Sequence, residues 1–280
     1  MTDQYALFGY PVHHSWSPFI HGMFARQTGQ DMAYRLRESP PEQFRSDVLA
    51  FFSAGGRGIN VTLPHKRAAA DLVNELTPRA QLADAVNTVV RRDERLIGDN
   101  TDGAGLLADL TRNLGLRFES PRILLLGAGG AARGALEPLM ALEPRLVVIA
   151  NRTAERAEAL AAEFAEFGPT SGCAFGRLEH HRFDLIINAT SASLRGEVPL
   201  IPISVVDSMT VCYDMAYGVG DTPFVAWARR LGAARAEQGW GMLVEQAAEA
   251  FELWRGVRPD TRPVLEALRL RAATGPGTRP

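Results

Sequence analysis

A strand that runs directly into a glycine-rich turn and a helix constrains this chain more than any other segment. Residues 122–126 read RILLL, which is typical of a strand buried on both faces, and GAGGAARG follows at 127–134. Gly127, Gly129 and Ala132 fit the dinucleotide-binding pattern G-x-G-x-x-G/A, whose glycines allow a tight turn and a close approach of the backbone to a pyrophosphate. We therefore predict a Rossmann domain that binds a dinucleotide, and the alternative is a tight strand–helix turn without a ligand. The predicted binding turn comprises Gly127, Ala128, Gly129, Gly130 and Ala131.

The end of the next predicted strand, residues 146–150, indicates which dinucleotide is bound. Asn151, Arg152 and Thr153 stand where an NAD-binding domain usually has an acidic residue for the ribose. Arg152, with Thr153 and Arg156 beside it, instead suits a 2′-phosphate. The alternative is a helix that begins at a threonine cap and carries its arginines on a solvated face. The pattern favours NADP.

Two further buried strands are predicted to end at the same edge of this sheet, where open parallel sheets bind their ligands. Thr190 and Ser191 follow the predicted strand at 184–188, and Met215 and Tyr217 lie at or after the end of the one at 211–215. The segment 239–251, GWGMLVEQAAEAF, is predicted to be a helix. Its glycine-rich start is placed to reach the cofactor, while Gln246 faces the first domain.

The stretch GINVTLPHK at 58–66 is the strongest candidate for a ligand-facing edge in the first domain. Val61 and Leu63 fit one face of a strand and Asn60 and Thr62 the other, and Pro64 then ends the pairing and places Lys66 at a turn or helix start. A second polar turn, GDNTDGAG at 98–105, precedes a predicted helix at 104–113. The alternative is an ordinary edge strand followed by a solvated lysine.

Other polar residues of the first domain join these two stretches as candidates. Ser17 followed by Pro18 predicts a helix with a serine N-cap, and such a helix start, with Ser15 before it, suits a substrate carboxylate. The alternative gives the two serines only cap and turn roles. Asn87 lies in an apolar strand predicted at 85–90, where it is either structural or a ligand contact. A helix is also predicted at 67–76.

Composition excludes several classes of protein. The chain has 280 residues, of which 46% are hydrophobic, and a formal net charge of −2, so two α/β domains fit and neither nucleic acid nor a membrane is an expected partner. Cys173 and Cys212 form no metal spacing or disulfide framework, which suits a reducing cytoplasm. No metal site is predicted, and no apolar run approaches the ~20 residues of a membrane span.

With these motifs together, the chain resembles the shikimate dehydrogenase family, whose members reduce 3-dehydroshikimate to shikimate with NADPH in aromatic amino-acid biosynthesis. The resemblance covers residues 8 to about 254. The motifs stand in the family's order, namely HSWSP at 14–18, GINVTLPHK at 58–66, AVNT at 85–88, DNTDGAG at 99–105, GAGGAARG at 127–134, ANRT at 150–153, NATS at 188–191, YDMAY at 213–217 and the GMLVEQAA helix.

The resemblance implies two α/β domains with a cleft between them. Residues 1–102, completed by C-terminal helices at 239–280, would form the substrate domain, and 103–238 the NADP-binding Rossmann domain. Lys66 and Asp102 would be the catalytic pair. The implied substrate-binding residues are Ser15, Ser17, Asn60, Thr62, Asn87, Tyr217 and Gln246. The implied cofactor-binding residues are the 127–131 turn, Asn151, Arg152, Thr153, Arg156, Thr190, Ser191, Met215, Gly239 and Met242.

Four positions depart from the family pattern, and they bear on loop shape and affinity. They are Gly22, Asp84, Ser193 and Val219. Two other functions stay open: a quinate/shikimate dehydrogenase of broader specificity, and a nucleotide-sensing binding protein. A sensor would have lost Lys66 and Asp102, and both are present. A homodimer is an open expectation.

Overall fold

The computed structural model describes residues 2–274, which form two compact units. The first unit contains residues 2–105 and Leu243–Leu268, and the second contains Leu106–Met242 and residues 269–274. The larger segment of the second unit, Leu106–Met242, is therefore inserted in the sequence of the first. Between residues 2 and 274, no helix is both long enough and apolar enough to cross a bilayer.

The first unit is built on a mixed sheet of six strands. The strands are β1 (Asp3–Gly9), β2 (Met32–Glu38), β3 (Gly58–Val61), β4 (Glu75–Leu76), β5 (Thr88–Arg92) and β6 (Arg95–Asp99). The helices that begin in this part of the chain are α1 (Ser17–Thr28), α2 (Phe44–Ser53), α3 (Lys66–Ala70), α4 (Pro78–Ala83) and α5 (Asp102–Ala108). The strand order is β2-β1-β3-β5-β6-β4. Neighbouring strands are parallel except that β5 is antiparallel to both β3 and β6.

Strand alternation sends the two faces of β3 to different surroundings. Ile59 and Val61 pack in one apolar cluster with Phe44 and Val48 of α2. Successive side chains of a strand point to opposite faces, so Asn60 lies on the other face of the sheet. Of the alternation predicted for Asn60 to Leu63, the part within β3, with Asn60 and Val61 on opposite faces, agrees with the structure, and it buries a polar side chain.

The second unit contains a sheet of six strands in which all neighbours are parallel. The strands are β7 (Arg122–Leu126), β8 (Leu146–Asn151), β9 (Thr170–Ala174), β10 (Leu185–Asn188), β11 (Val211–Asp214) and β12 (Arg235–Gln238). The remaining α-helices are α6 (Gly130–Met140), α7 (Ala154–Glu163), α8 (Pro223–Arg230), α9 (Trp240–Arg255) and α10 (Arg262–Thr274). The strand order is β12-β11-β10-β7-β8-β9. The chain adds strands on one side of β7 up to β9 and then on its other side from β10 to β12, as in a Rossmann sheet. The predicted fold class is confirmed.

Two predicted helices differ from the structure. The helix predicted at 67–76 ends at Ala70, because Asn74 pairs with Leu96 through its backbone N–H and its side-chain carbonyl and leads into β4. The helix predicted at 104–113 begins at Asp102 and ends in a π-helical turn, Asp109–Asn113.

The end of α10 also differs from the predicted domain assignment, which grouped 239–280 with the first domain. From Arg269 the helix belongs to the second unit. Arg269, Ala272 and Ala273 line a cavity of about 270 Å³ together with Gln238 and Trp240 of that unit, and these contacts explain the grouping. Residues 275–280 of the predicted segment lie outside the described residues.

Candidate active site

The turn after β3 brings Lys66 to the start of a helix. β3 ends at Val61, since Pro64 lacks the N–H that would continue a ladder, and the N–H of His65 donates instead to the carbonyl of Thr62 at 3.0 Å. Leu63 lies beyond the end of β3 and is 59% exposed, so the prediction that it continues the strand face of Val61 is wrong. Lys66 follows as the first residue of α3.

Lys66 forms an ion pair with Asp102, the first residue of α5. Lys66 Nζ lies 2.5 Å from Asp102 Oδ2, and the two side chains are 27% and 14% exposed. Asn87 Nδ2 donates to the other carboxylate oxygen at 2.7 Å, so both Asp102 oxygens are held. An amine fixed in this way can pass a proton to or from an oxygen of a bound molecule.

A buried polar network supports Asp102 through Asn87. Asn87 Oδ1 accepts from the N–H of Thr101 at 2.9 Å, and Asn87 Nδ2 also lies 2.9 Å from Thr101 Oγ1. Gln246 Oε1, from α9, accepts from Thr101 Oγ1 and Asn87 Nδ2, each at 3.4 Å. Asn87 therefore has the structural role that was one of its two predicted alternatives. Its contact with a ligand stays a prediction.

Asp99, the last residue of β6, is held by a buried ion pair with Arg79. Arg79 Nε and Nη2 donate to its two oxygens at 2.7 Å each, Thr77 donates at 2.6 Å and the N–H of Asn100 at 2.7 Å. Burial raises the pKa of Asp99, but hydrogen bonds from Arg79 and Thr77 outweigh it and hold the pKa below its usual value. Asp99 therefore stays charged and fixes the end of β6 just ahead of Asp102.

The hydroxyl that accepts a backbone N–H at the start of α1 belongs to Ser15 and not, as predicted, to Ser17. The helix begins at Ser17 with Trp16 at the cap position, and Ser17 makes no side-chain cap bond. The N–H of Ser17 donates to Ser15 Oγ at 3.2 Å, and Ser15 Oγ also donates to Ser17 Oγ at 3.1 Å. The prediction of Ser17 as N-cap is wrong, because Ser15, two residues earlier, satisfies a free N–H of the first turn. Both hydroxyls lie together at this helix start.

The remaining predicted substrate residues divide between the units. Asn60 and Thr62 belong to the first unit with the residues above, and Thr62 is held by its N–H, which donates to the carbonyl of Phe8 at 2.9 Å. Tyr217 belongs to the second unit, where its ring lies 4.6 Å from that of Trp240. Burial raises the pKa of Tyr217 to about 12, so its hydroxyl is protonated at neutral pH.

The turn between β7 and α6 has the form that a pyrophosphate needs. Gly127 has a φ of 107°, which favours glycine, and a Cβ there would lie 3.3 Å from the backbone of Ala189. Gly129 precedes the first residue of α6, and residues 129–131 are exposed. Exposed N–H groups at a helix start, with no side chain over them, are a binding site for an anion.

Two guanidinium groups follow β8, that of Arg152 in the loop and that of Arg156 in the first turn of α7. Arg152 and Arg156 are exposed, and Asn151 Nδ2 shapes the loop by donating to the carbonyl of Thr153 at 2.9 Å. Thr153 precedes α7 without a side-chain cap bond, so the alternative that it is a capping threonine is not supported. Within 2–274, neither arginine pairs with a carboxylate, which leaves both charges available to a phosphate.

The ends of β10 and β11 are joined by one buried carboxylate, Asp214. It accepts from Asn188 Nδ2 at 3.1 Å, from Ser193 Oγ at 2.6 Å and from Thr222 Oγ1 at 2.7 Å. Asn188 Oδ1 in turn accepts from the N–H of Thr190 at 3.1 Å. Ser193, which departs from the family pattern, is thus part of the support for the loop that carries Thr190 and Ser191.

The start of α9 lies against a second buried carboxylate, Asp109. Asp109 accepts from the hydroxyl of Tyr213 at 2.6 Å, and burial raises its pKa. A Cβ at Gly241 would collide with this carboxylate, and one at Gly239 would lie 2.5 Å from the carbonyl oxygen of Met215. Glycine is therefore needed at both positions. Met242, one residue further, is buried.

Sequence reasoning missed three residues that support the site. Tyr34 donates to Asn60 Oδ1, His21 stacks on Tyr34, and Asp109 holds the start of α9. None stands in a recognisable motif. Their partners are remote in sequence, so only the fold reveals them.

One unit is a Rossmann unit whose glycine turn suits an anion, and the other holds a lysine–aspartate pair. These are features of a nicotinamide-dependent dehydrogenase. Comparison with known families makes the class specific. A family model described as shikimate dehydrogenase substrate binding domain matches residues 7–89, one described as shikimate/quinate 5-dehydrogenase matches 109–196, and one described as shikimate 5′-dehydrogenase C-terminal domain matches 239–269.

Individual relatives agree over almost the whole chain. The NADP⁺ shikimate dehydrogenase of Methylococcus capsulatus is 54% identical over 97% of this chain and 98% of its own. The crystal structure of an Ael1 enzyme from Pseudomonas putida is 46% identical, with a TM-score of 0.89 over 95% of this chain and 98% of its own. Shikimate 5-dehydrogenase from Thermus thermophilus, solved in complex with NADP(H) and shikimate, is 33% identical, with a TM-score of 0.84 over 96% and 99%. The chain belongs to the shikimate dehydrogenase family.

Proposed function

We propose that this protein catalyses the reversible, NADPH-dependent reduction of 3-dehydroshikimate to shikimate, a step of the shikimate pathway toward aromatic amino acids. The observation that carries the proposal is the Lys66–Asp102 pair, with its 2.5 Å contact and partial exposure. Family membership and the relatives' NADP-dependent shikimate dehydrogenase activity support the same reaction.

Lys66 is the proposed proton donor and acceptor. When bound, NADPH would supply the hydride to the carbonyl carbon in the reductive direction, and Lys66 would give a proton to the carbonyl oxygen as it becomes a hydroxyl. In the oxidative direction Lys66 takes that proton back. Asp102 holds the ammonium group in place and keeps a hydrogen-bonding carboxylate beside the reacting oxygen, since Asn87 fixes its other oxygen.

Substrate binding is proposed to use the polar groups around that pair. Ser15 and Ser17 would donate to the substrate carboxylate, because two hydroxyls and the positive end of α1 lie together there. The ring hydroxyls of the substrate would form hydrogen bonds with amide and hydroxyl groups of the first unit. The residues that carry these groups are Asn60, Thr62, Asn87 and Gln246. Contact between the substrate and Tyr217 of the second unit is likewise a prediction.

The cofactor is NADP, and the second unit has the features that fit it. The Gly127–Ala131 turn would hold the pyrophosphate, because its residues 129–131 are exposed at the start of α6 and open space surrounds the Cβ position of Gly129. Arg152 and Arg156 would bind the 2′-phosphate through charge-assisted hydrogen bonds. The positions proposed to complete the site are Asn151, Thr153, Thr190, Ser191, Met215, Gly239 and Met242.

Each unit is thus proposed to carry one part of the reaction, with substrate binding and the acid–base pair in the first unit and NADP binding in the second. The ligands are small molecules. Residence in the cytoplasm is a prediction from two cysteines that are both free thiols. Assembly as a homodimer also stays a prediction from the sequence.

The proposal is tested by following NADP⁺ reduction by the purified protein, first with shikimate and then with quinate, and repeating both with NAD⁺. Shikimate with NADP⁺ should give the highest kcat/KM of the four combinations. Comparable turnover of quinate would assign the broader quinate/shikimate activity instead. Binding of NADP⁺ without turnover of either acid would contradict an enzymatic role and support a sensor.

A further inference from the structure

Tyr34 contacts Asn60 on the face of the sheet opposite α2. Its hydroxyl donates to Asn60 Oδ1 at 2.8 Å. Asn60 Nδ2 makes two bonds of its own, to the carbonyl of Asn87 at 3.2 Å and to Thr88 Oγ1 at 3.0 Å. Asn60 is only 6% exposed, so these partners decide which way its amide points.

Only one orientation of this amide satisfies all its neighbours. The carbonyl of Asn87 is an acceptor and requires the NH₂ end, while the hydroxyl of Tyr34 donates to the oxygen end. A flipped amide would turn its oxygen toward the carbonyl of Asn87, which is repulsive. Without the Tyr34 hydroxyl, the oxygen end would lose its donor and the amide would be less firmly held.

The ring of Tyr34 is itself fixed by stacking. The ring of His21, which is 1% exposed, lies 4.2 Å from it at an interplanar angle of 12°, and Trp254 contacts His21 at 5.3 Å. Burial lowers the pKa of His21 to about 3, so the stacked ring is neutral at physiological pH. The stack therefore holds the hydroxyl of Tyr34 at one place without adding a charge.

The hydroxyl of Tyr34 stays a hydrogen-bond donor at neutral pH. Although Tyr34 as a whole is partly exposed, burial around the hydroxyl raises its pKa and keeps it protonated. In the function proposed above, Asn60 contacts the ring hydroxyls of the substrate, so the donor behind it acts on that contact.

We propose that Tyr34 is a positioning residue for shikimate: its hydroxyl fixes the amide of Asn60 in the orientation that the substrate requires. This inference rests on the proposed function and names a residue that acts through others rather than on the reacting atoms. It predicts that discrimination among polyol substrates depends on a hydroxyl outside the recognised motifs.

The test is Tyr34→Phe, which removes one oxygen and keeps the ring and its stack. Leaving a buried acceptor without its donor should raise the KM for shikimate about five- to a hundredfold. We expect kcat to stay within about threefold and the KM for NADP⁺ within about twofold, because neither depends on the position of Asn60. Selectivity for shikimate over quinate should fall.

Tyr5→Phe is the matched control. Tyr5 lies in the same unit, its ring contacts Trp254 at 4.8 Å, and its hydroxyl is bonded to Arg255 at 3.2 Å rather than to a proposed substrate residue. Its loss should leave the shikimate KM unchanged. Equal changes in both variants would indicate a general loss of stability and would overturn the inference.

A double-mutant cycle with Asn60→Ala separates positioning from structure. Tyr34→Phe should have clearly less effect on the shikimate KM in the Asn60→Ala background, since the group it positions is gone. Full additivity, or an unchanged KM in Tyr34→Phe, would overturn the inference while the proposed function stands. If the unaltered protein does not oxidise shikimate, both fail.

A second substitution covers the case in which Tyr34→Phe does not fold. Replacement of Tyr34 with 3-fluorotyrosine keeps ring and hydroxyl, and its main effect is on the hydroxyl's acidity. A shift of at least about twofold in the shikimate KM, with the NADP⁺ KM unchanged, supports positioning through that hydroxyl. No shift counts against it.

Discussion

Replacing Arg79 with methionine should destabilise the first unit substantially, because it leaves the Asp99 carboxylate buried without its cation. Asp99 is 2% exposed and takes three of its hydrogen bonds from side chains, two of them from Arg79. Methionine keeps most of the aliphatic stem and removes the charge together with the two hydrogen bonds to Asp99. Glu249, the second partner of Arg79 at 3.5 Å, keeps its ion pair with Arg258.

The magnitude follows from what remains around the carboxylate. Removing one partner of a buried ion pair costs about 3–5 kcal/mol. Arg79 is 32% exposed, so water already screens part of the pair, and Thr77 and the N–H of Asn100 still donate to the carboxylate. We therefore expect a loss of about 2–3 kcal/mol in the free energy of unfolding at pH 7.

The effect should depend on pH with a definite sign. In the unaltered protein the pKa of Asp99 is lowered, so the pair stabilises fully above the unfolded pKa of about 3.9 and loses this contribution as pH falls through the folded value. Without Arg79, burial raises the pKa of Asp99 above the unfolded value. The difference between the two proteins should therefore be largest near neutrality and shrink as both carboxyls become protonated.

Urea denaturation between pH 3.5 and pH 8, on Arg79→Met, Asp99→Asn and the double variant, measures this directly. With Asp99→Asn in place no buried carboxylate is left without its cation, and Arg79→Met should cost about 1 kcal/mol or less. Arg57→Met is the control, since Arg57 is 62% exposed and its pair with Asp3 should contribute no more than about 0.5 kcal/mol. A loss independent of pH and unchanged by Asp99→Asn would refute the reasoning.

Three further predictions concern the proposed activity. Lys66→Ala should lower kcat at least about a hundredfold with little change in KM, whereas Arg67→Ala at the next, exposed position should stay within about twofold; a Lys66→Ala enzyme that retains half its kcat would exclude the proton-transfer role. Ser17→Ala should raise the shikimate KM roughly tenfold and leave the NADP⁺ KM unchanged, while Ser15→Ala should also lower the Tm because it removes the acceptor at the helix start. Arg152→Asp should abolish or reverse an NADP preference of at least about tenfold in kcat/KM without changing kcat at saturating cofactor more than a few-fold; equal use of both cofactors by the unaltered protein would contradict it.

Backbone requirements were readable from the sequence where few residues satisfy them. RILLL followed by glycines predicted β7, the turn and α6, because a buried strand and a left-handed turn each restrict composition strongly. Thr77 and Thr222, each followed by proline, likewise mark helix starts, and their hydroxyls accept N–H bonds from the first turns of α4 and α8.

Side-chain roles were less readable where several residues could meet the same need. Ser15 and Ser17 are two residues apart, and either hydroxyl can satisfy a helix N–H, so sequence alone assigned the cap to the wrong one. Tyr34 and Asn60 are 26 residues apart, and Asp109 and Tyr213 are 104 apart. No local propensity reports such pairs, because the fold creates them.

The insertion of one unit within the other has a consequence for synthesis on the ribosome. Tyr5 and His21 pack against Trp254, and Arg255 pairs with Asp3. After β1 has been synthesised, about 250 further residues must be added before these contacts can form. At about 5–20 residues per second this delay is roughly 12–50 s. Leu106–Met242 emerges as one continuous stretch in the meantime and can complete its parallel sheet first. Until then, the aromatic face of the nascent amino-terminal half stays uncovered and is a surface that chaperones would be expected to bind.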